Sequence, residues 1–345
     1  MDLKSTLYGL DLEEAQRIVK RYGEPVYRAE QLLEWLYRRH ADRWEEISNL
    51  PKHFLEKLRS EFRLTSLVFK ESVKSPHGQS TKFLFETHDD HLLESVLISH
   101  KRRETVCVST QLGCKMKCAF CASGKSYDRN LTAGEIVEQV AGIEKSLAKR
   151  VSNVVFMGMG EPLDNFETTL TALRILQADW GFGLGARRIT VSTVGIAPKI
   201  EEFVKRVGGK VRLSVSLHSS DERRRSELVP INRRYSLKEL AKTLRDVHRK
   251  LQREITFEYT LLEGVNDMPA EAHGVARMAK PIGAKVNLIP YNPIRGAAFR
   301  RPSKERIEAF RNVLQKAGVR VIVRLTAGRD IDAACGQLVL DREKN

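Results

Sequence analysis

The stretch Cys107-Val108-Ser109-Thr110-Gln111-Leu112-Gly113-Cys114-Lys115-Met116-Lys117-Cys118-Ala119-Phe120-Cys121 starts as a strand and ends as a thiol-bearing loop. Residues 105–110 are rich in β-branched side chains, which favour extended backbone. Cys114, Cys118 and Cys121 follow at C-x3-C-x2-C spacing. Three thiolates on one short loop can hold three irons of a 4Fe–4S cluster. Such clusters usually take four cysteines, so this loop leaves one iron open to a ligand. A zinc tetrahedron of Cys107, Cys114, Cys118 and Cys121 is the alternative, and would make a metal-stabilised protein without catalysis. Zinc sites favour two closely spaced ligand pairs, and Cys107 has no close partner. The fifth cysteine, Cys335, lies near the C-terminus, and an odd count argues against a disulfide framework.

Downstream of this loop, strand and helix patterns alternate. Strands are expected at 105–110, 154–159, 189–193, 213–217, 255–261 and 286–289, with a further β-like run at 319–325. Thr132-x-x-Glu135 and Ser236-x-x-Glu239 are capping-box signatures that open two of the helices. This order implies parallel βα units, as an open sheet or a partial barrel. Chemistry in such folds sits at the C-terminal ends of the strands. Cys114, Gly160-Glu161, Ser192-Thr193, Ser216-Leu217-His218 and Asn292 all fall there. In Gly158-Met159-Gly160-Glu161-Pro162, the glycines permit close backbone approach, and the carboxylate can meet an ammonium group.

Upstream, residues 1–65 read as a small helical domain. Leu12, Ala15, Ile18 and Val19 recur at helical spacing up to Gly23-Glu24-Pro25. Ala29, Leu32, Leu33 and Leu36 mark a second helix, and Phe54, Leu55 and Leu58 a third after Pro51. Residues 66–104 read as a short β-extension, with alternation at 81–86 and a β-rich run at 94–98. Residues 105–345 hold the βα series and a C-terminal segment carrying Cys335.

The 345 residues are 41% hydrophobic and 30% charged, a globular composition of about two domains. No apolar run reaches the roughly 18 residues that a membrane span needs. Met1-Asp2-Leu3-Lys4 lacks the pattern of a signal peptide, so a cytoplasmic protein is expected. The net charge of +15 favours a polyanionic partner such as nucleic acid. Arg38-Arg39, Arg223-Arg224-Arg225, Arg233-Arg234, Arg300-Arg301, Lys304 and Arg306 are the basic stretches expected to meet phosphates.

The C-x3-C-x2-C spacing matches that of radical S-adenosylmethionine (radical-SAM) enzymes. Longer motifs carry a closer resemblance: 107–114, 156–162, Val229-Pro230-Ile231-Asn232, 287–293 and 330–338. Together they resemble the RlmN/Cfr family of radical-SAM RNA adenosine methyltransferases, over nearly the whole chain. The resemblance implies an incomplete (β/α)6 radical-SAM barrel with an N-terminal helical domain that binds RNA. It implies a 4Fe–4S cluster on Cys114, Cys118 and Cys121, with SAM on the open iron. SAM contacts are expected at Gly160, Glu161, Ser192, Ser216, Leu217, His218 and Asn292.

Two subgroups differ in product. RlmN-type enzymes methylate carbon 2 of adenosine in 23S ribosomal RNA and certain transfer RNAs; Cfr-type enzymes methylate carbon 8. Gly160-Glu161-Pro162 and Leu288-Ile289-Pro290-Tyr291-Asn292 look more like RlmN. The family's route assigns the remaining cysteines. One SAM methylates Cys335, and a second is cleaved to a radical that takes a hydrogen atom from that methyl group. The carbon radical adds to carbon 2, linking enzyme and RNA. Cys107 then attacks the Cys335 sulfur, forming a Cys107–Cys335 disulfide and releasing the product. Glu94 corresponds to the family's proton acceptor. A flavodoxin-type electron donor and a monomeric state are also implied. One departure stands out: the loop between Cys121 and Arg129 is one residue shorter than the family usually has.

Overall fold

The computed structural model describes residues 5–101, 103–324 and 328–339. Both the start of the chain read for a targeting signal and Leu325, the end of the last expected strand, lie outside them.

Three helices precede the sheet: α1 (Leu12–Arg21), α2 (Tyr27–Tyr37) and α3 (Lys52–Glu61). Asp11 and Glu14 form a reciprocal capping box that opens α1. Each helix turns its apolar stripe inward, burying Ala15, Val19, Leu32, Leu33, Leu36, Phe54 and Leu58. Three antiparallel strands follow: β1 (Leu67–Lys74), β2 (Ser80–Thr87) and β3 (Leu92–His100). The expected β-extension is therefore present, with β1 as an additional strand.

β4 (Arg103–Val108) pairs antiparallel with β3 and parallel with β7 (Asn153–Phe156). The hairpin β5 (Gln111–Gly113) and β6 (Tyr127–Asn130) lies between them in sequence, flanking the cysteine loop. Then come β8 (Ile189–Thr193), β9 (Arg212–Ser216), β10 (Thr256–Leu261), β11 (Lys285–Pro290) and a short β12 (Val321–Val323). The main sheet runs β1-β2-β3-β4-β7-β8-β9-β10-β11-β12, parallel from β4 onward. Its two ends are not paired with each other, as an incomplete barrel requires.

Connecting helices are α4 (Ala133–Leu147), α5 (Phe166–Gln177), α6 (Ala197–Val207), α7 (Glu222–Leu228), α8 (Leu237–Val247), α9 (Pro269–Ala279) and α10 (Lys304–Lys316). Thr132 and Glu135 complete the expected capping box of α4, and Ser236 caps α8. One apolar core runs from the N-terminal helices through the strands. A second, smaller one gathers Phe120, Leu228, Val229, Leu262 and Tyr291 around the cysteine loop, with Cys118 and Cys121 packed against it.

Three in-register residues cross the antiparallel junction: Lys82 on β2 faces Val96 on β3, and Val96 faces Cys107 on β4. Side chains on one strand share a face at every second residue, so Glu94, Val96 and Ile98 lie on the Cys107 side. No helix among the described residues is long and apolar enough to cross a membrane.

Candidate active site

β4 delivers the chain to the cysteine loop. At Gly113 φ is +76°, and a Cβ there would overlap the Ser126 carbonyl at 2.1 Å, so this turn requires glycine. The Cys114 N–H donates to Ser126 O at 2.8 Å, and the Cys121 N–H to Cys118 O at 3.1 Å. The Ala119 N–H reaches out of the loop to Leu228 O, 3.0 Å away at the end of α7. The three cysteines are half-buried, with Met116 and Phe120 packed inward between them. Burial pushes all three thiols up, Cys114 to about 12, and each is opposed further by the charge of its neighbours. These donors call for a cationic partner, which a cluster supplies.

Among the described residues, no three His, Cys, Asp or Glu side chains stand close enough to hold a single metal ion. In a four-iron cluster each thiolate binds its own iron. Three half-buried thiols carried on one short loop, with Cys121 opening onto a cleft, are a donor set that fits such a cluster.

A cleft beside Cys121 is lined by Phe120, Gly160, Glu161, Ser192, Ser216 and His218. All but Phe120 are residues expected to contact SAM. A Cβ on Gly158 would meet Ser109 Oγ at 2.5 Å; one on Gly160, at φ +99°, would meet the Gln111 side chain at 2.6 Å. The glycines thus let the β7 turn lie flat against the β4 turn. Glu161 is buried, and its two carboxylate oxygens accept the N–H groups of Leu163 (3.0 Å) and Val194 (2.8 Å). Burial outweighs these bonds and pushes its carboxyl up to about 7.

His218 adopts φ +56°, and its Nδ1 accepts the Thr260 N–H at 3.0 Å. An accepting Nδ1 leaves the proton on Nε2. Burial pulls the imidazole down to about 3, so His218 is a neutral donor. Leu217 is fully buried, and only its backbone is engaged: its N–H donates to Glu258 O and its carbonyl accepts from Arg225.

A second cleft adjoins the first. Val96, Ile98, Cys107, Asn292 and Ala334 line it, and both clefts share Cys121, Met157, Gly158, Ile289, Arg324, Cys335 and Gly336. Cys335 therefore stands on the common wall. Asn292 lines the second cleft rather than the first, and its Nδ2 donates to Cys335 O at 3.1 Å. Burial pushes the Cys107 thiol up to about 12, the nearby Cys335 adds to this, and the Arg324 guanidinium opposes it.

The C-terminal segment is fastened along its length. Ser75 Oγ donates to Asp330 Oδ2 (2.7 Å), Ala122 N to Gly336 O (2.8 Å), and Ser123 Oγ to Leu338 O (2.7 Å). The shortened loop after Cys121 thus begins with two bonds to the segment that carries Cys335. Glu94 supplies a further tie: its Oε2 accepts the Val339 N–H at 3.0 Å, while its Oε1 meets Lys82 Nζ at 2.9 Å. Burial pushes the Glu94 carboxyl up, and Lys82 pulls the other way.

Glu258, Thr260 and Arg324 also line the first cleft and carry no expectation from the sequence. Glu258 and Thr260 lie on β10, a wholly buried strand in which Thr256, Glu258 and Thr260 alternate with Phe257, Tyr259 and Leu261, and that alternation was the signal available for them. Arg324 directly follows β12, and strand-end position was the signal available for it. One expected phosphate contact is corrected. Arg223 is exposed and Arg224 pairs with Glu271, but Arg225 is fully buried and donates to protein carbonyls. At about 100° per residue, Arg225 lies about 200° around α7 from Arg223, which carries it to the inner face.

Comparison with known proteins gives the chain's relatives. The family model described as "Radical SAM superfamily" matches residues 108–273. That of the "Ribosomal RNA large subunit methyltransferase N-terminal domain" matches residues 5–64. The chain is 43% identical over 340 residues to a Bacillus subtilis protein named "Probable dual-specificity RNA methyltransferase RlmN", covering 97% of this chain and 93% of that one. A Thermotoga maritima protein of the same name is 40% identical over 341 residues, covering 98% of both. The crystal structure of a radical SAM methyltransferase from Sphaerobacter thermophilus superposes with a TM-score of 0.94 at 42% identity, covering 98% of this chain and 100% of that one.

Proposed function

Because the chain belongs to the RlmN family of radical-SAM RNA methyltransferases, we propose that it methylates carbon 2 of adenosine in 23S ribosomal RNA and in transfer RNA. The observation that carries this reading is the position of Cys335, on the wall between the SAM-side cleft and the cleft holding Cys107. A methyl-carrying sulfur must meet SAM on one side and a resolving thiol on the other.

Cys114, Cys118 and Cys121 would hold the cluster, and the cluster supplies the single electron that cleaves SAM. Glu161 receives the SAM ammonium, and the Val194 and Leu163 N–H groups keep its carboxylate aimed. Ser192, Ser216 and the neutral Nε2–H of His218 donate to SAM's polar groups, and Gly160 and the Leu217 backbone shape the pocket around them. Asn292 holds the Cys335 backbone, so that the sulfur carries the methyl group between the clefts. Glu94 accepts the proton lost from carbon 2, with Lys82 drawing it toward the ionised state a base needs. Cys107 resolves the covalent link by attacking the Cys335 sulfur, and the Arg324 guanidinium works against the burial that holds the Cys107 thiol up.

Residues 1–65 act as the RNA-binding accessory domain, 66–104 as the β-extension, and 105–345 as the catalytic barrel with its C-terminal segment. Arg233, Arg234, Arg300 and Lys304 are exposed and available to phosphates. A flavodoxin-type donor, a monomeric state and a cytoplasmic location complete the reading.

The test is nucleoside mass spectrometry after anaerobic cluster reconstitution, with SAM, reductant and unmodified 23S fragment or transfer RNA. 2-Methyladenosine is expected. 8-Methyladenosine, or no product from an enzyme that cleaves SAM, overturns the proposal.

A further inference from the structure

Arg225 is the largest fully buried side chain among the described residues. Burying a guanidinium is costly unless an anion accompanies it. No carboxylate lies within ion-pair distance of Arg225 among the described residues. Its donors go instead to neutral oxygens. Nε donates to Leu217 O (3.0 Å), Nη1 to Asn232 Oδ1 (2.6 Å), and Nη2 to Val194 O (2.7 Å) and Ser216 O (3.2 Å). The carboxylate on the same helix, Glu222, is at the surface and is held by Asn232 and Leu237 rather than by Arg225.

Each of these bonds leads to the site. Val194 accepts from Arg225 through its carbonyl and donates to Glu161 Oε2 through its N–H. Ser216 ends β9 on the lining of the SAM-side cleft, and Leu217 follows it. α7, which carries Arg225, ends at Leu228, whose carbonyl holds Ala119 between two cluster cysteines. Asn232 closes the unit: its Nδ2 donates to Glu222 Oε1 (2.7 Å) and Ser226 Oγ (2.8 Å). This gives the motif Val229-Pro230-Ile231-Asn232 a structural task.

We propose that Arg225 is a positioning residue that locks the β8 and β9 ends and the cysteine loop together, and that its buried charge raises the reduction potential of the cluster. A cluster on three thiolates gains negative charge on reduction, and a fixed, buried cation one helical turn before the Leu228 carbonyl that holds the cysteine loop stabilises the reduced state more than the oxidised one. The inference rests on the cluster assignment; wild-type protein that reconstitutes without an iron–sulfur spectrum would fail that assignment before any variant is compared.

Two variants separate charge from geometry. In Arg225→Gln the charge is lost, and potentiometric titration followed by EPR is expected to give a more negative midpoint at full iron content. In Arg225→Lys the charge stays, but an ammonium cannot span acceptors on Asn232, Val194 and Leu217 at once. Its midpoint is expected to match wild type while its Kd for SAM rises several-fold. Arg225→Lys fills the same space, so it serves where Arg225→Gln does not fold. An iron-replete Arg225→Gln protein with an unchanged midpoint overturns the proposal. So does an Arg225→Lys protein whose midpoint falls, or whose SAM affinity equals that of wild type.

Discussion

The side-chain amide of Asn292 is bonded to the backbone carbonyl of Cys335 at 3.1 Å. Asn292 lies two residues past β11, and Cys335 belongs to a segment tied elsewhere to the cysteine loop and to Glu94 on β3. Asn292→Ala is expected to lower turnover about five- to tenfold, the worth of one hydrogen bond, with SAM affinity unchanged. Single-turnover methylation and SAM binding measured on the same protein check this. A weakened Kd for SAM with normal turnover would make Asn292 a SAM contact instead.

Lys82→Met removes the cation that pulls Glu94 down against burial, so the Glu94 carboxyl is expected to rise further. A base works only when ionised, so the acidic limb of the pH–rate profile should move to higher pH. A variant limb that coincides with that of wild type excludes Glu94 as the base that limits the rate.

Glu161 sits at about 7 before SAM arrives, and an ammonium favours its ionised form. Affinity for SAM should therefore be greatest above neutrality and fall as pH drops below about 7. The limiting slope is about tenfold per pH unit. Glu161→Gln should bind SAM weakly and without that pH dependence, as titration calorimetry would read.

Cys107→Ala should trap a covalent enzyme–RNA adduct, because nothing resolves the Cys335 link. Cys335→Ala should give none. A denaturing gel with labelled RNA separates the two, and absence of adduct from Cys107→Ala with an active cluster counts against the assigned roles.

Glu138, buried on α4 with its carboxylate accepting the Ser66 N–H, is pushed up to about 8. Below the ordinary carboxylate range it is protonated in both folded and unfolded chains. As pH climbs from that range toward 8, the unfolded chain ionises first and the native state loses stability. Each unit of difference is worth about 1.4 kcal/mol. Glu138→Gln should flatten this decline and melt above wild type at pH 8.

The parallel strands and the cysteine loop were legible because both depend on local pattern: β-branched runs, caps and fixed spacing. Glu161 and Ser216 stand at or just past strand ends, positions that topology alone dictates, and both line the first cleft. β1 was not anticipated, because seven of its eight residues are exposed and carry no period-two signal. Arg225 was misassigned because three consecutive arginines read alike until helix phase sends one inward. Arg324 acts through tertiary proximity to Cys335 and the SAM-side cleft, which no spacing in the sequence encodes.

The in-register row Lys82–Val96–Cys107 limits how this protein can be edited. Adding a single residue within β3 would turn its upstream half to the opposite face. Glu94 would then point away from Val339 while Cys107 stayed in place. The base and the resolving thiol would part company without either being mutated. Length changes in this part of the chain are therefore tolerable in twos, or at the Ser75–Gly78 turn, where the lattice of strand pairs has already ended.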